Sequence, residues 1–333
     1  MNKMGYSLGV DFGHLFLKMV IIDSANRVCH QLYLNHQGDA AGRFKEALAG
    51  ILKNYQIEKL GITGGLVSSV NGFLSDYTVD QVRAQMSWVK EKFGLVNNIF
   101  DLGGTSVSLI ELDEKGEFKN FISNSLCAAG TGSFLDEQAT RLEIDYQDLC
   151  EFKEIKTPPP IAARCSVFAK SDLIHYQQEG YNREELWAGL CRGLCRTILR
   201  TLLKGRSLEG ATVVIGGMAQ NSEVLRWLKS MVKAQILTSK DAHLAGALGS
   251  ARLAKPVELS KLEIEEINLS VEFKKQERRP KLELKRSKYP DFKVQEEFLD
   301  QLGNEVRLSF FPETNQMQGF LGIDIGSTST KLA

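Results

Sequence analysis

Three glycine-containing segments, each following a short apolar run, constrain this 333-residue chain most strongly. In chain order they are Asp11-Phe12-Gly13, Asp101-Leu102-Gly103-Gly104-Thr105 and Gly216-Gly217. Glycine lets the backbone approach a phosphate closely, and a carboxylate at the same turn can hold the hydrated metal that accompanies it. One Asp-x-Gly also suits an ordinary hairpin turn, so the order of the three segments carries the argument. They favour a nucleotide-binding α/β fold over its alternative, an unrelated α/β domain with three glycine turns.

Residues 6 to 254 alternate strand-like and helical patterns, which is typical of an α/β architecture. Residues 6–22 and 99–112 each predict a hairpin, the second with a turn at 113–116, and residues 212–215 predict a buried strand. Apolar spacing predicts seven helices, near residues 40–54, 79–92, 133–142, 166–178, 183–203, 221–233 and 241–253. The expected fold class is α/β, with mixed sheets flanked by helices.

Charge and apolar patterning narrow the functional classes. Lys plus Arg and Asp plus Glu each total 41, so no basic field attracts nucleic acid or an anionic membrane. No run of about 18 apolar residues predicts a membrane span, and the N-terminus lacks the pattern of a signal peptide. We therefore expect a cytoplasmic protein with neither nucleic acid nor membrane as its partner. Six cysteines are too few for a disulfide scaffold in a chain of this length.

One motif occurs twice with the same internal spacing. Residues 8–13, followed by Lys18, recur as residues 321–326, followed by Lys331. This repeat predicts a duplicated domain, with the second copy cut off almost as it begins and a longer natural protein. The expected layout is a first domain at 1–254, a charged linker at 255–317 and the start of a second domain at 318–333.

Two of the cysteines have neighbours that suggest metal binding. Cys127 lies in a loop of small residues before a predicted helix, and Cys165 immediately precedes another. A helix N-terminus favours a thiolate, and its free amides can donate to the sulfides of an iron-sulfur cluster. Two ligands leave a four-cysteine site half complete, and a symmetric dimer would supply the others. The alternative is a pair of small buried thiols, which is also our interpretation of Cys191 and Cys195, four apart on one helix.

The order of the three glycine segments resembles the phosphate-one, phosphate-two and adenosine motifs of the actin, sugar-kinase and heat-shock-chaperone ATPase superfamily. That resemblance implies a two-lobed, ribonuclease-H-like (actin-like ATPase) fold. The cysteine segments, Cys-Ala-Ala-Gly-Thr-Gly-Ser-Phe-Leu from residue 127 and Cys-Ser-Val-Phe-Ala-Lys-Ser-Asp from residue 165, are more specific. They are similar to those of the BadF/BadG/BcrA/BcrD-type ATPases, which include activators of 2-hydroxyacyl-CoA dehydratases and subunits of benzoyl-CoA reductases. The resemblance covers about residues 6 to 254.

The resemblance implies a function and a set of site residues. A homodimer, or a pseudo-dimer with the second ATPase-like domain, would hold one 4Fe-4S cluster through Cys127 and Cys165. ATP hydrolysis would then drive a low-potential electron to a dehydratase or reductase component that has iron-sulfur clusters of its own. Asp11 and Asp101 would be catalytic, handling Mg²⁺ and the attacking water. The residues implied to contact ATP or ADP are Gly13, Lys18, Gly103, Gly104, Thr105, Gly216, Gly217 and Asn221.

The segments that would bind phosphate depart from the family pattern, whereas the two cysteine segments match it. Residues 14–17 are His-Leu-Phe-Leu, whereas the second copy has Ser-Thr-Ser-Thr at 327–330. Thr105-Ser106 replaces the usual Gln-Asp, and residues 62–66 also differ. This first domain is therefore expected to bind nucleotide weakly or hydrolyse it slowly. The rivals are a non-catalytic assembly domain and a kinase of sugars or acetate, and the kinase leaves the two cysteines unexplained.

Overall fold

The computed structural model describes residues 5–67, 72–124, 131–147, 149, 152–162, 165–258, 293–309, 318–326 and 330–332. The chain forms two compact units, Met1–Lys275 and Gln276–Ala333. The first unit contains two five-stranded sheets, which form the cores of two lobes.

The first sheet has the strand order β10-β4-β1-β2-β3. Its strands are β1 (Tyr6–Phe12), β2 (Phe16–Ile22), β3 (Val28–Asn35), β4 (Ile57–Thr63) and β10 (Lys255–Pro256). Strands β1 to β3 form an antiparallel meander, and β4 lies parallel to β1 after helix α1 (Ala40–Asn54). The buried face of α1, which includes Phe44 and Leu48, packs into the core of this sheet. Val257, just beyond β10, is also buried in that core, so this sheet continues past residue 254.

The second sheet has the order β7-β6-β5-β8-β9. Its strands are β5 (Asn98–Leu102), β6 (Val107–Leu112), β7 (Phe118–Ser123), β8 (Ala211–Ile215) and β9 (Gln235–Leu237). Like the first sheet, it joins an antiparallel meander to parallel strands. The predicted hairpin at 99–112 is confirmed, but the turn at 113–116 was misplaced: it joins β6 to β7, and residues 103–106 form the turn of the hairpin.

The predicted helices are confirmed, with small differences at their ends. They are α1, α2 (Gln81–Phe93), α3 (Gly132–Arg141), α4 (Ser166–Gln178), α5 (Arg183–Leu203), α6 (Ser222–Met231) and α7 (Ala245–Arg252). The last predicted helix begins as a separate 3₁₀ turn, Ala242–Leu244, before α7. Local side chains explain some of these boundaries, since Asn182 and Glu185 form a reciprocal capping box at the start of α5.

Helix α7 is rich in small residues because it lies between the first sheet and α2. A Cβ atom at Gly9 of β1 would collide with the backbone carbonyl of Ala247 in α7. A Cβ atom at Gly249 would likewise collide with the carbonyl of Ala84 in α2. These close approaches require glycine on β1 and α7, and they pack α7 against the first sheet and α2 against α7.

The second unit contains two hairpins among its described residues. They are formed by β11 (Glu296–Leu299) with β12 (Glu305–Leu308), and by β13 (Ile323–Ile325) with β14 (Thr330–Leu332). In the part of the chain that the structure describes, no helix is both long and apolar enough to span a bilayer.

Candidate functional site

The three glycine segments meet around one cavity of about 810 Å³. The predicted site residues that line it are Gly13, Lys18, Gly103, Gly104, Thr105, Gly217 and Asn221. Asp11 and Asp101 lie beside it, at the ends of β1 and β5, and Gly216 follows β8. A cleft of this size is typical of sites that bury a ligand of nucleotide dimensions.

The first turn is closed by backbone bonding and anchored by a charged pair. The amide of Gly13 donates to the carbonyl of Phe16 at 3.1 Å. Asp11 and Lys18 are register partners on β1 and β2, and Lys18 Nζ lies 2.8 Å from Asp11 Oδ2. The Lys18 side chain is 16% exposed and that of Asp11 is 11% exposed, so this ion pair is largely removed from water.

His36 is a site residue that sequence reasoning missed. Its Nε2 lies 3.0 Å from the carbonyl of Gly13, and its Nδ1 accepts from the amide of Gly38 at 3.1 Å. Because Nδ1 is an acceptor, Nε2 carries the proton and donates to the turn. His36 therefore braces the first turn from the end of β3. No local pattern signals this contact, which spans 23 residues of sequence.

Asp101 is held from the side of α2. The amide nitrogen of Gln85 donates to Asp101 Oδ2 at 2.6 Å, and that of Gln81 donates to the same oxygen at 3.4 Å. Burial raises the pKa of Asp101 above its ordinary value, while the charge of Lys18 and these hydrogen bonds act to lower it. Neither glutamine was predicted to be part of the site.

Lys18 interacts electrostatically with both carboxylates, Asp11 and Asp101. Burial acts to lower the pKa of Lys18, but the negative charges of Asp11 and Asp101 outweigh it, so the pKa is raised and the ammonium is retained. The structure thus brings together two acids and one cation, contributed by both lobes. Such a group can hold a hydrated divalent cation beside a phosphate chain.

The second turn contacts the start of α3. The amide of Gly103 donates to the carbonyl of Ser106 at 2.9 Å, which closes the turn. Two carbonyl groups of this turn accept hydrogen bonds from the start of α3. The amide of Gly132 donates to the carbonyl of Gly103 at 3.1 Å, and the amide of Ser133 donates to the carbonyl of Gly104 at 2.8 Å. The phosphate-side turn and the N-terminus of α3 are therefore joined directly.

The third segment requires its first glycine. Gly216 has a φ of 88°, and a Cβ atom there would lie 2.5 Å from the carbonyl oxygen of Leu102 and 2.8 Å from Asp101 Oδ1. Only glycine fits this position beside the second turn. Asn221 lines the cavity, but its Oδ1 caps α6 by accepting from the amides of Glu223 and Val224. Asn221 therefore shapes the loop through its cap.

The residues that replace hydroxyls in the first turn face the cavity in part. Leu17 is fully buried, whereas Leu15 and Phe16 line the cavity. The Cδ1 atom of Leu15 lies 2.7 Å from the position of a Cβ atom on Gly104, so the tips of the two turns touch. Phe16 stacks on Tyr33 with ring centroids 4.4 Å apart. Hairpin alternation thus buries only some of these apolar side chains.

The described cysteines differ in burial. Cys165 is the N-cap residue of α4 and is partly buried. Cys127 lies outside the described residues. Cys191 and Cys195 are fully buried in the core, where burial raises the pKa of both thiols, so their predicted packing role is confirmed. Within the described ranges, no cluster of three or more His, Cys, Asp or Glu side chains could hold a metal ion.

Comparison with known proteins agrees with this geometry. Residues 8–254 match the model of the BadF/BadG/BcrA/BcrD ATPase family. The activator of lactoyl-CoA dehydratase from Anaerotignum propionicum is 28% identical over 254 residues, covering 75% of this chain and 97% of that protein. The (R)-2-hydroxyglutaryl-CoA dehydratase activating ATPase of Acidaminococcus fermentans is 29% identical over 259 residues, covering 75% and 96%.

A solved structure supports the same conclusion. The activator of the 2-hydroxyisocaproyl-CoA dehydratase from Clostridium difficile, with bound ADPNP, superposes with a TM-score of 0.68 at 26% identity. The match covers 79% of this chain and 95% of that one. The predicted two-lobed, actin-like ATPase fold is thereby confirmed. Because the family model spans most of the sequence and the fold agrees, the chain belongs to the BadF/BadG/BcrA/BcrD ATPase family.

Proposed function

We propose that this protein is an ATP-dependent activator that carries a 4Fe-4S cluster and delivers a low-potential electron to a 2-hydroxyacyl-CoA dehydratase or a benzoyl-CoA-reductase-like partner. The names of its relatives support the activator role and a dehydratase as partner. The observation that carries the proposal is the contact between the second turn and α3. Through Gly103 and Gly104, the nucleotide side is bonded to the chain segment that follows Cys127 by five residues.

The nucleotide half of the proposal uses the two acids and the lysine. Asp11 and Asp101 would hold Mg²⁺ beside the phosphates, and Asp101 would orient the attacking water. Lys18 offsets part of the negative charge of the two carboxylates and keeps Asp11 fixed near the end of β1. Gly13, Gly103 and Gly104 let the backbone approach the phosphate oxygens.

Two features of the described residues around Cys165 support the cluster proposal. Among the described residues Cys165 makes no side-chain cap on α4, so its side chain does not occupy the first amides of that helix, which could donate to a thiolate or a sulfide. Beside it, Val167 and Phe168 are 64% and 65% exposed, an apolar surface that a second domain would cover. Cys127 is proposed as the second ligand, and a symmetry-related pair completes four. When bound, such a cluster supplies one-electron chemistry at low potential.

We propose that the hydrogen bonds between the second turn and α3 couple the nucleotide site to the cluster site. Nucleotide binding moves the turn at 103–106, and the amides of Gly132 and Ser133 move with its carbonyls. The N-terminus of α3 then shifts relative to α4, on which Cys165 lies. Small changes of this kind alter the hydrogen bonds and solvent exposure around a cluster, which are the properties that set its potential.

We also propose the domain order expected from the repeat, with a linker that begins after Val257, since residues 255–257 belong to the first sheet and its core, and with 318–333 as the beginning of a second ATPase-like domain. Asp324 and Lys331 are register partners on β13 and β14, as Asp11 and Lys18 are on β1 and β2. Their ion pair is also repeated, with Lys331 Nζ 3.4 Å from Asp324 Oδ2. A second domain would allow the cluster to be shared within one chain in place of a homodimer.

Anaerobic reconstitution with iron and sulfide tests the cluster. We expect about four irons per dimer and a paramagnetic signal after reduction in the wild type, with both lost in Cys127→Ala and in Cys165→Ala. Cys29→Ala is the matched control, because Cys29 is exposed on β3 and should leave the iron content unchanged. Full iron content in either ligand variant would contradict the assignment.

A further inference from the structure

We infer that Gln85, assisted by Gln81, is the positioning residue of Asp101, holding its carboxylate from α2 so that it can act on the nucleotide side. The inference rests on the proposed role of Asp101 with Mg²⁺ and water. It adds a function for α2 that the glycine motifs do not include.

The geometry fixes both oxygens of the carboxyl group. Gln81 and Gln85 are four residues apart, so they lie on one face of α2 and converge on Asp101 Oδ2. The bond from Gln85 is 2.6 Å long and Gln85 is 5% exposed, so this donor is well ordered by its surroundings. On the other side, Oδ1 lies against Gly216, where the missing Cβ leaves it room. The carboxylate is thus clamped between α2 and the third segment.

The glutamines approach Asp101 from a second cavity, of about 1070 Å³. Asp101, Ser106 and both glutamines line that cavity, whereas Gly103, Gly104 and Thr105 line the nucleotide cavity. The second turn therefore borders both cavities. Gln85 can hold Asp101 from the second cavity without occupying the space that a phosphate chain needs in the nucleotide cavity.

Charge explains why Asp101 needs neutral donors. The charged groups that act on it are Lys18 and Asp11, and Lys18 is already hydrogen-bonded to Asp11 at 2.8 Å. Burial opposes ionisation of Asp101, and the amide donors on α2 counteract that effect. Arg83 and Lys90 of α2 line the second cavity as well. The two amides therefore act as neutral donors that hold Asp101 Oδ2 in place.

Carboxyl titration by carbon-13 nuclear magnetic resonance tests the inference directly. Asp101 is assigned by the signal that disappears in Asp101→Asn. Gln85→Leu removes the donor at nearly constant volume and should raise the pKa of Asp101, and Gln85→Glu should raise it further by adding a negative charge. Gln81→Leu should raise it less, because its bond is longer. Gln177→Leu, on the exposed surface of α4, is the control. An unchanged titration in a folded Gln85→Leu or Gln85→Glu variant overturns the inference.

A second readout uses nucleotide turnover. In Gln85→Leu, the acid limb of the pH profile should move to higher pH, with turnover about tenfold below wild type on that limb and near wild type above it. A uniform loss at every pH would mean a structural role only and would overturn the inference. If the wild type shows no turnover, the proposed function fails on that point, while the carboxyl titration still decides the role of Gln85. Should Gln85→Leu fail to fold, Gln81→Leu and Gln85→Glu decide it.

Discussion

Replacing Lys18 with methionine removes the cation that two carboxylates share, at nearly constant length. The ion pair with Asp11 is 2.8 Å long and both side chains are less than one-fifth exposed. Breaking a buried pair by removing one partner costs about 3 to 5 kcal/mol, because an uncompensated charge remains. We take about 3 kcal/mol for this partly hydrated pair. For a domain of this size, that corresponds to a decrease of about 6 to 12 °C in Tm.

Calorimetric unfolding of the full chain measures this cost, and its pH dependence identifies the cause. Because the folded-state pKa of Lys18 is raised above its ordinary 10.5, the pair stabilises the fold through the neutral range. That stabilisation is lost only as the pH rises through the raised pKa of Lys18. The corresponding decrease in stability at alkaline pH should therefore be absent from Lys18→Met. In acid, protonation of Asp101, whose pKa is raised by burial, should reduce the cost of the substitution.

Two further variants make the result specific. Lys53→Met, in the exposed last turn of α1, should change stability by no more than about 0.5 kcal/mol. The double variant Lys18→Met/Asp11→Leu should recover most of the lost stability, since no buried charge is then left unpaired at the first turn. A cost below about 1 kcal/mol in Lys18→Met, or no recovery in the double variant, would refute the reasoning.

Three other substitutions probe the site. Asp101→Asn should stabilise the fold at neutral pH and abolish Mg²⁺-dependent turnover. Burial raises the folded-state pKa of Asp101 above 3.8, so the ionised carboxylate destabilises the fold at neutral pH. Below pH 3.8 the carboxyl group is protonated in both the folded and the unfolded state, so the gain seen by calorimetry should disappear in acid. Leu15→Ser should tighten Mg-nucleotide binding in calorimetric titration, since it replaces an apolar contact on Gly104 with a hydroxyl donor; unchanged affinity would contradict this. Gly216→Ala should destabilise by about 1 to 3 kcal/mol in urea unfolding, because its Cβ would meet the Leu102 carbonyl at a positive φ; wild-type stability would contradict it.

Local patterns predicted much of the fold. Helices α4 and α5 have the predicted bounds because their apolar spacing and flanking residues are local signals. Strand β3 was missed: its residues are mostly exposed and lack the alternation that marks a half-buried strand. The hairpin turn was placed at 113–116 because Asp-Glu-Lys-Gly is a strong turn sequence, yet residues 103–106 close the hairpin.

In the candidate site, too, short motifs predicted the local contacts, and contacts between distant parts of the chain were missed. The glycine turns and the Asp11 and Lys18 pair follow from short motifs, because neighbouring residues of one hairpin must meet. His36 and Gln85 could not be predicted in this way. They reach the turns from 23 and 16 residues away, and their contacts depend on how α2 and β3 pack in the finished fold.

The central claim is that nucleotide binding at the glycine turns alters the cluster at the cysteines. Its most direct test is electron paramagnetic resonance of the reconstituted, reduced protein, recorded without nucleotide and with saturating Mg-ADP or Mg-ATP. We predict that nucleotide changes the spectrum of the wild type and leaves that of Lys18→Met unchanged at equal iron content. A wild-type spectrum identical with and without nucleotide, in protein shown to bind both nucleotide and iron, would contradict the account.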